Sequence, residues 1–139
     1  MQKLKDVMSR NVQIIGPDDM IQVAAIQMSN GDFGMLPVAE NDRLIGTLSD
    51  RDIVIRALAK GKDASSKVRE AMSEGVIWAY EDDSVEECAK LMSEHKIRRL
   101  PILNADKKLV GIVALGDFAV VSADAKAAGE ALSEISKAN

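Results

Sequence analysis

The sequence predicts an α/β (α+β) fold made of two β-α-β-β-α repeats packed as a pseudo-two-fold pair. Three observations predict it. First, Lys3, Met8, Ser9, Val12, Asp18, Asp19, Ala25, Met28, Ser29, Leu36, Pro37 and Asp42 recur 64 positions later. After a one-residue insertion near Lys108, Leu44, Gly46 and Asp52 return at an offset of 65, as Leu109, Gly111 and Asp117. A repeat of this length exceeds a solenoid unit and reads as duplication of a small αβ unit. Second, each copy places a capped helical stripe after a short apolar run. Third, each then carries two apolar runs separated by a polar turn, the pattern of a hairpin.

In order, a short amphipathic lead-in (Leu4, Val7 and Met8; then Val68 and Met72) precedes an expected strand at residues 12–15 or 76–79. Asp19 with Gln22 and Asp83 with Glu86 have capping-box spacing, and Ser84 with Glu87 offers the better version of it. Behind these caps, Ile21, Ala24, Ala25 and Met28 form a helical stripe, matched by Val85, Cys88, Ala89 and Met92. Residues 35–39 and 44–48, like 99–103 and 109–113, read as antiparallel hairpins, with the first strand of each copy joined in parallel through a right-handed crossover. A helix begins near Asp50 or Gly116. Residues 61–67 read as a linker. The expected domains are repeat 1 (1–62), repeat 2 (63–123) and an Ala-rich tail (124–139). That tail has two open readings, a docked helix or a frayed end.

Size and charge narrow the function. The chain has 139 residues, 47% hydrophobic but only 3% aromatic, so its core is aliphatic. A net charge of −4 opposes general binding to nucleic acid, which needs concentrated Lys and Arg. One cysteine, Cys88, excludes an intrachain disulfide. No apolar run approaches the roughly 20 residues needed to span a bilayer, and residues 1–6 lack a secretory h-region. The expectation is a cytoplasmic protein that binds neither membrane nor nucleic acid. His95 is the single histidine and has no partnering nucleophile; one His and one Cys give no metal-ligand spacing. No catalytic residue, metal ligand or catalytic cofactor is therefore assigned, and an enzyme is not expected.

The arrangement resembles the tandem cystathionine β-synthase (CBS) domain pair. The residues that carry the likeness are Val7 and Met8; Pro17, Asp18 and Asp19; Met35, Leu36, Pro37 and Val38; and the run from Gly46 to Ile53. In the second copy they are residues 68–72, 94–102 and 111–118. The resemblance implies a regulatory or ligand-sensing module that takes an adenosine-containing ligand (AMP, ADP, ATP, NAD or S-adenosylmethionine) in a cleft between repeats. It also implies a homodimer, commonly a flat disc of four repeats.

The family's nucleotide motif, Gly-x-x-Ser/Thr-x-x-Asp, is met by Gly46, Ser49 and Asp52. Two readings are open: a capping box at a helix start, or ribose and phosphate recognition by an acid beside unpaired N–H groups. The second copy keeps Gly111 and Asp117 but has Ala114, whose methyl group can neither cap nor bond a ligand. Arg98 and Arg99 have Gly34 and Met35 as counterparts, so only the second copy carries this basic pair. The pair is either an ordinary surface feature or, as the resemblance implies, a phosphate contact suited to the guanidinium fork. Arg51 has two readings as well, phosphate contact or pairing with Asp50. Trp78 and Tyr80, in place of Ile14 and Gly16, either fill a second cleft or make a dimer contact.

The expected site takes ribose on Ser49 and Asp52 and phosphate on Arg98 or Arg99. The base lies against Gln13, Ile14 and Ile15 and the wall of Met35, Leu36 and Pro37. Arg51 and Asp117 complete the set. Output is expected through an unidentified protein partner or through self-association. The alternative is a dimerisation scaffold that keeps the fold without significant nucleotide binding.

Overall fold

The computed structural model describes residues 2–118, so the expected tail at 124–139 and the last residues of repeat 2 lie outside the described residues. The chain divides into two compact units: Gln13–Val76, and a second whose described part is residues 2–12 with 77–118.

In Gln13–Val76, helix α1 (Ile21–Gly31) is followed by the antiparallel strands β1 (Met35–Glu40) and β2 (Arg43–Ser49). The hairpin loop is Asn41–Asp42, both at positive φ (53° and 66°), as a two-residue turn matching strand twist requires. The expected first strand shrinks to a single parallel bridge, Ile15 to Val38. After β2 comes one turn of α-helix, α2 (Asp50–Asp52), then a π-helical stretch (Ile53–Ala57) and a 3₁₀ turn (Leu58–Lys60). Ile21, Ala24 and Met28 turn inward from α1 and pack with Leu36, Val38, Leu48, Ala57 and Val68. Ala25, expected on the same stripe, lies exposed while its counterpart Ala89 is buried. A position at a stripe's margin is covered only where a neighbour reaches it.

The other unit repeats the plan. Strand β3 (Ala79–Tyr80) pairs in parallel with β4 (Arg99–Leu103), which pairs antiparallel with β5 (Leu109–Ala114); α3 (Val85–His95) lies between β3 and β4 in sequence, and α4 (Leu115–Phe118) follows β5. Both hairpins break register at equivalent places, Val38/Ala39 and Ile102/Leu103. The inserted residue sits in the β4–β5 loop, where the Asn104 side chain accepts from the N–H groups of Asp106 and Lys108. Ser84 caps α3 by accepting the Glu87 N–H at 3.1 Å. Asp19 and Asp83 cap a turn instead of a helix, accepting from the N–H of Gly16 and Tyr80.

The compact units cut the chain differently from the sequence repeats. Leu4, from the first lead-in, is fully buried in the core that contains α3, β4 and β5. Val68, from the second, is fully buried with α1, β1 and β2. Equivalent bonds hold each turn in place: Leu4 and Lys5 donate to the carbonyls of Asp83 and Glu81, as Val68 and Arg69 do to those of Asp19 and Pro17. An ion pair accompanies each, Lys5–Asp82 at 3.1 Å and Arg69–Asp18 at 2.7 Å. These partners hold the carboxyls of Asp18 and Asp82 below the usual carboxylate range, Arg69 acting on the first and Lys5 on the second. Both pairs are well exposed and add little stability. The expected linker at 61–67 is also structural. Ala64 and Ser66 offer backbone carbonyls to the N–H groups of Gln22 and Ile21, satisfying an α1 start that has no side-chain cap.

Candidate functional site

The motif Gly46-x-x-Ser49-x-x-Asp52 lies where β2 runs into α2. Ser49 holds an extended conformation (φ −110°, ψ 164°), which aims its hydroxyl along the start of the helix. Ser49 Oγ accepts the Asp52 N–H at 3.0 Å, and Asp52 Oδ2 accepts the Ser49 N–H at 3.0 Å. This is a complete reciprocal box. It fixes the Asp52 carboxylate, whose side chain keeps 16% of its surface exposed.

Gly46 is required by crowding rather than by its φ. A Cβ built there would lie 2.7 Å from the Ser73 carbonyl oxygen and 3.1 Å from Met72 Sδ. Thr47 and Ser73 exchange N–H···O bonds of 2.9 and 2.8 Å, so the lead-in backbone is drawn against β2. Gly111 repeats this: a Cβ there would collide with Met8 Sδ and lie 3.1 Å from the Ser9 carbonyl oxygen. Within each unit, the glycine of the motif is the place where a lead-in segment crosses the second hairpin strand.

The other candidates in Gln13–Val76 separate by burial. Ile15, Leu36 and Pro37 are buried, so they offer a ligand backbone rather than side chain. The Ile15 N–H donates to the Pro37 carbonyl and the Ile15 carbonyl accepts from Ala39. Gln13 and Ile14 are exposed, and Gln27 donates to the Ile14 carbonyl at 3.2 Å. Met35 is half-buried and stands opposite Ser49 in the hairpin register. Arg51 is exposed, and its contact with Asp50 runs through the Arg51 backbone N–H, at 2.8 Å.

Arg98, Arg99 and Asp117 belong to the other unit. Asp117 Oδ2 accepts the Ala114 N–H at 2.7 Å, so half of the box survives without the serine. Arg99 is half-buried opposite Ala114 in the register. Burial lowers its pKa, and the Asp117 charge works against that shift. Arg98 is exposed, and its carbonyl accepts the Leu115 N–H just as Gly34 accepts that of Asp50. A Cβ on Gly34 would come within 2.9 Å of the Asp50 carboxylate. Leu115 takes the Asp50 position in the second copy, so a side chain at Arg98 meets no carboxylate there.

Sequence reasoning missed Arg56. Its Nε lies 3.7 Å from Asp52 Oδ1, and its Nη1 donates to the Met72 carbonyl at 3.2 Å. The available signal was the i, i+4 spacing of Asp52 and Arg56. Trp78 and Tyr80 are half-buried and meet edge to face, with ring centroids 4.8 Å apart. Burial, with a smaller push from Asp83, raises the Cys88 thiol to about 12. Among the described residues no group of three or more His, Cys, Asp or Glu side chains is gathered for a metal ion, and no helix is long and apolar enough to cross a membrane.

Comparison with known proteins explains the doubled motif. A family profile for the CBS domain matches residues 4–58 and again 68–124. The chain belongs to the CBS-domain family. The CBS domain-containing protein YhcV of Bacillus subtilis is 42% identical over 139 residues, covering 100% of this chain and 99% of that protein. The solved structure of CBSX2 in complex with AMP matches with a TM-score of 0.79 at 25% identity, over 91% of this chain and 99% of that one. The CBS domain pair of MJ0100, in complex with 5-methylthioadenosine and S-adenosyl-L-methionine, matches at 0.74 and 28% identity, over 90% of this chain and 98% of that one. This chain is thus a pair of CBS repeats whose structural neighbours include adenosine-ligand complexes.

Proposed function

We propose that this CBS pair is a regulatory module, not a catalyst, that binds an adenosine-containing ligand of the AMP, ADP, ATP, NAD or S-adenosylmethionine class. The observation that carries the reading is the ordered Ser49–Asp52 pair. A carboxylate has about four acceptor sites. Asp52 Oδ2 serves Ser49 and Oδ1 meets Arg56 only at 3.7 Å, which leaves capacity for a ribose diol. Ile14 and Met35 supply apolar surface for the base and Gln13 an exposed polar side chain, while the buried Ile15, Leu36 and Pro37 back that wall. Arg51 is the proposed cation for a phosphate in the Gln13–Val76 unit, and Arg98, Arg99 and Asp117 are the proposed phosphate and ribose contacts of the other. The AMP and S-adenosylmethionine complexes of the neighbours support this ligand class.

A second reading is a scaffold without nucleotide. It is favoured by a capping box in which Ser49 and Asp52 satisfy one another and by the loss of the serine at Ala114. A thermal-shift panel of the five ligands separates the two. Binding predicts one ligand that stabilises by about 2.7 kcal/mol at 100 times its dissociation constant, an effect cut to about half or less in Asp52→Ala. No shift from any ligand leaves the scaffold.

Self-association is the proposed mode of assembly. Helix α1 carries no charged residue in a chain that is 29% charged. Val23 and Ile26 project from it into solvent, as do Val54, Ile55 and Leu58 (60% exposed) from the segment after α2. Large apolar side chains left to solvent suit burial against a second copy of the chain, since an isologous contact needs no charge complement. Sedimentation should give a homodimer for the native chain and a monomer for Ile26→Glu with Leu58→Glu; a monomeric native chain refutes this.

A further inference from the structure

We infer that Arg56 reads the occupancy of Asp52 and passes it to the segment leading out of the Gln13–Val76 unit. The inference rests on the ribose role proposed for Asp52. The guanidinium spans two groups: Nε meets Asp52 Oδ1 at 3.7 Å, and Nη1 donates to the Met72 carbonyl at 3.2 Å. Met72 precedes Ser73, whose two bonds to Thr47 fasten the lead-in to β2, and the unit ends at Val76. Arg56 therefore ties the acid of the motif to the strip of chain that Gly46 admits against β2.

The geometry makes the tie responsive. Asp52 Oδ2 already accepts the Ser49 N–H, so a ribose diol that engages both carboxylate oxygens brings one hydroxyl to Oδ1, the oxygen that Arg56 faces. At 3.7 Å that contact is an ion pair rather than a well-formed hydrogen bond, and it yields to a hydroxyl donated at normal distance. With the contact this long and Arg56 half exposed, the pair is weak, so the ligand can displace it at little cost to its own affinity. The π-helical stretch Ile53–Ala57 includes Arg56, and such irregular turns are a recurrent means of aiming one side chain. The position equivalent to Arg56 in the second copy is Val121, which has no charge to play the part. Reading is thus confined to the copy that kept Ser49.

The test compares wild type with Arg56→Gln and Arg56→Lys, using AMP and S-adenosylmethionine as probes. Calorimetry gives affinity, and amide exchange by NMR follows the Thr47 and Ser73 N–H groups. Arg56→Gln should exchange those amides about two- to fivefold faster without ligand and bind the recognised probe about two- to fivefold tighter, the range an exposed ion pair can supply. Its exchange should no longer respond to ligand, whereas wild-type exchange should rise on binding. Arg56→Lys keeps the charge but loses the fork, and should match Arg56→Gln in exchange. Weaker binding by Arg56→Gln would make Arg56 a ligand contact and overturn the inference. Unchanged exchange beside intact binding would overturn it alone. Failure of both probes to bind wild type would overturn it together with the ribose reading, a result distinguishable because affinity is then lost before any substitution.

Discussion

Adding a methyl group at Gly46 tests how the motif is held together. In Gly46→Ala the new Cβ would stand 2.7 Å from the Ser73 carbonyl oxygen, a backbone atom that cannot swing aside, and 3.1 Å from Met72 Sδ. Relief means moving the lead-in off β2. Forced overpacking costs about 1–3 kcal/mol. Separating Thr47 from Ser73 endangers two hydrogen bonds worth about 0.5–1.5 kcal/mol each, so the total loss is about 2–6 kcal/mol. At Gly111 the nearest clash is with Met8 Sδ, the far end of a flexible side chain, while the Ser9 carbonyl oxygen stands at 3.1 Å. Met8 can repack and the backbone need give only a few tenths of an ångström. Gly111→Ala should cost about 1–2 kcal/mol. Urea denaturation of both variants gives the comparison. Equal stability of Gly46→Ala and wild type, or a larger loss at Gly111, would refute the claim that backbone crowding explains the motif glycine.

Three further outcomes follow from individual contacts. Ser49→Ala removes the hydroxyl that accepts the Asp52 N–H and should cost about 1 kcal/mol, whereas Ala114→Ser should gain a few tenths; denaturation midpoints check both. Lys96 ends α3 at φ 56°, a left-handed conformation that favours glycine, so Lys96→Gly should stabilise by about 0.5–1 kcal/mol in thermal melts. Burial raises the Cys88 thiol from 9.0 to about 12. Its stabilising contribution is therefore complete below pH 9 and lost as pH climbs from 9 towards 12, falling by about 1.4 kcal/mol per pH unit in that window. Cys88→Ala should remove that slope in urea titrations between pH 8 and 10.5.

The sequence made the helices and hairpins legible because each has a local cause. The Ser84 cap, the Val85–Cys88–Ala89–Met92 stripe and the polar turn at Asn41–Asp42 are all read within a few residues. The partition into compact units was not legible. Leu4 with Met8 and Val68 with Met72 are near-equivalent pairs, and either would suit either core, so nothing in the pattern says which lead-in packs where. The first strands were over-read for a related reason: an apolar run at residues 12–15 has strand composition, but only Ile15 finds a pairing partner. At the site, Ser49 and Asp52 were visible as a motif, while Arg56 was hidden because its second partner, the Met72 carbonyl, is a backbone atom 16 residues away.

The proposed recognition turns on Asp52 holding the ribose of an adenosine-containing ligand. Calorimetric titration of AMP and S-adenosylmethionine into wild type and into Asp52→Ala measures that role. At least one of them should bind wild type saturably and bind Asp52→Ala at least about tenfold more weakly, since a hydrogen bond to a charged group is worth about 1.5–3 kcal/mol. Binding of equal strength to both proteins, or to neither, would contradict it.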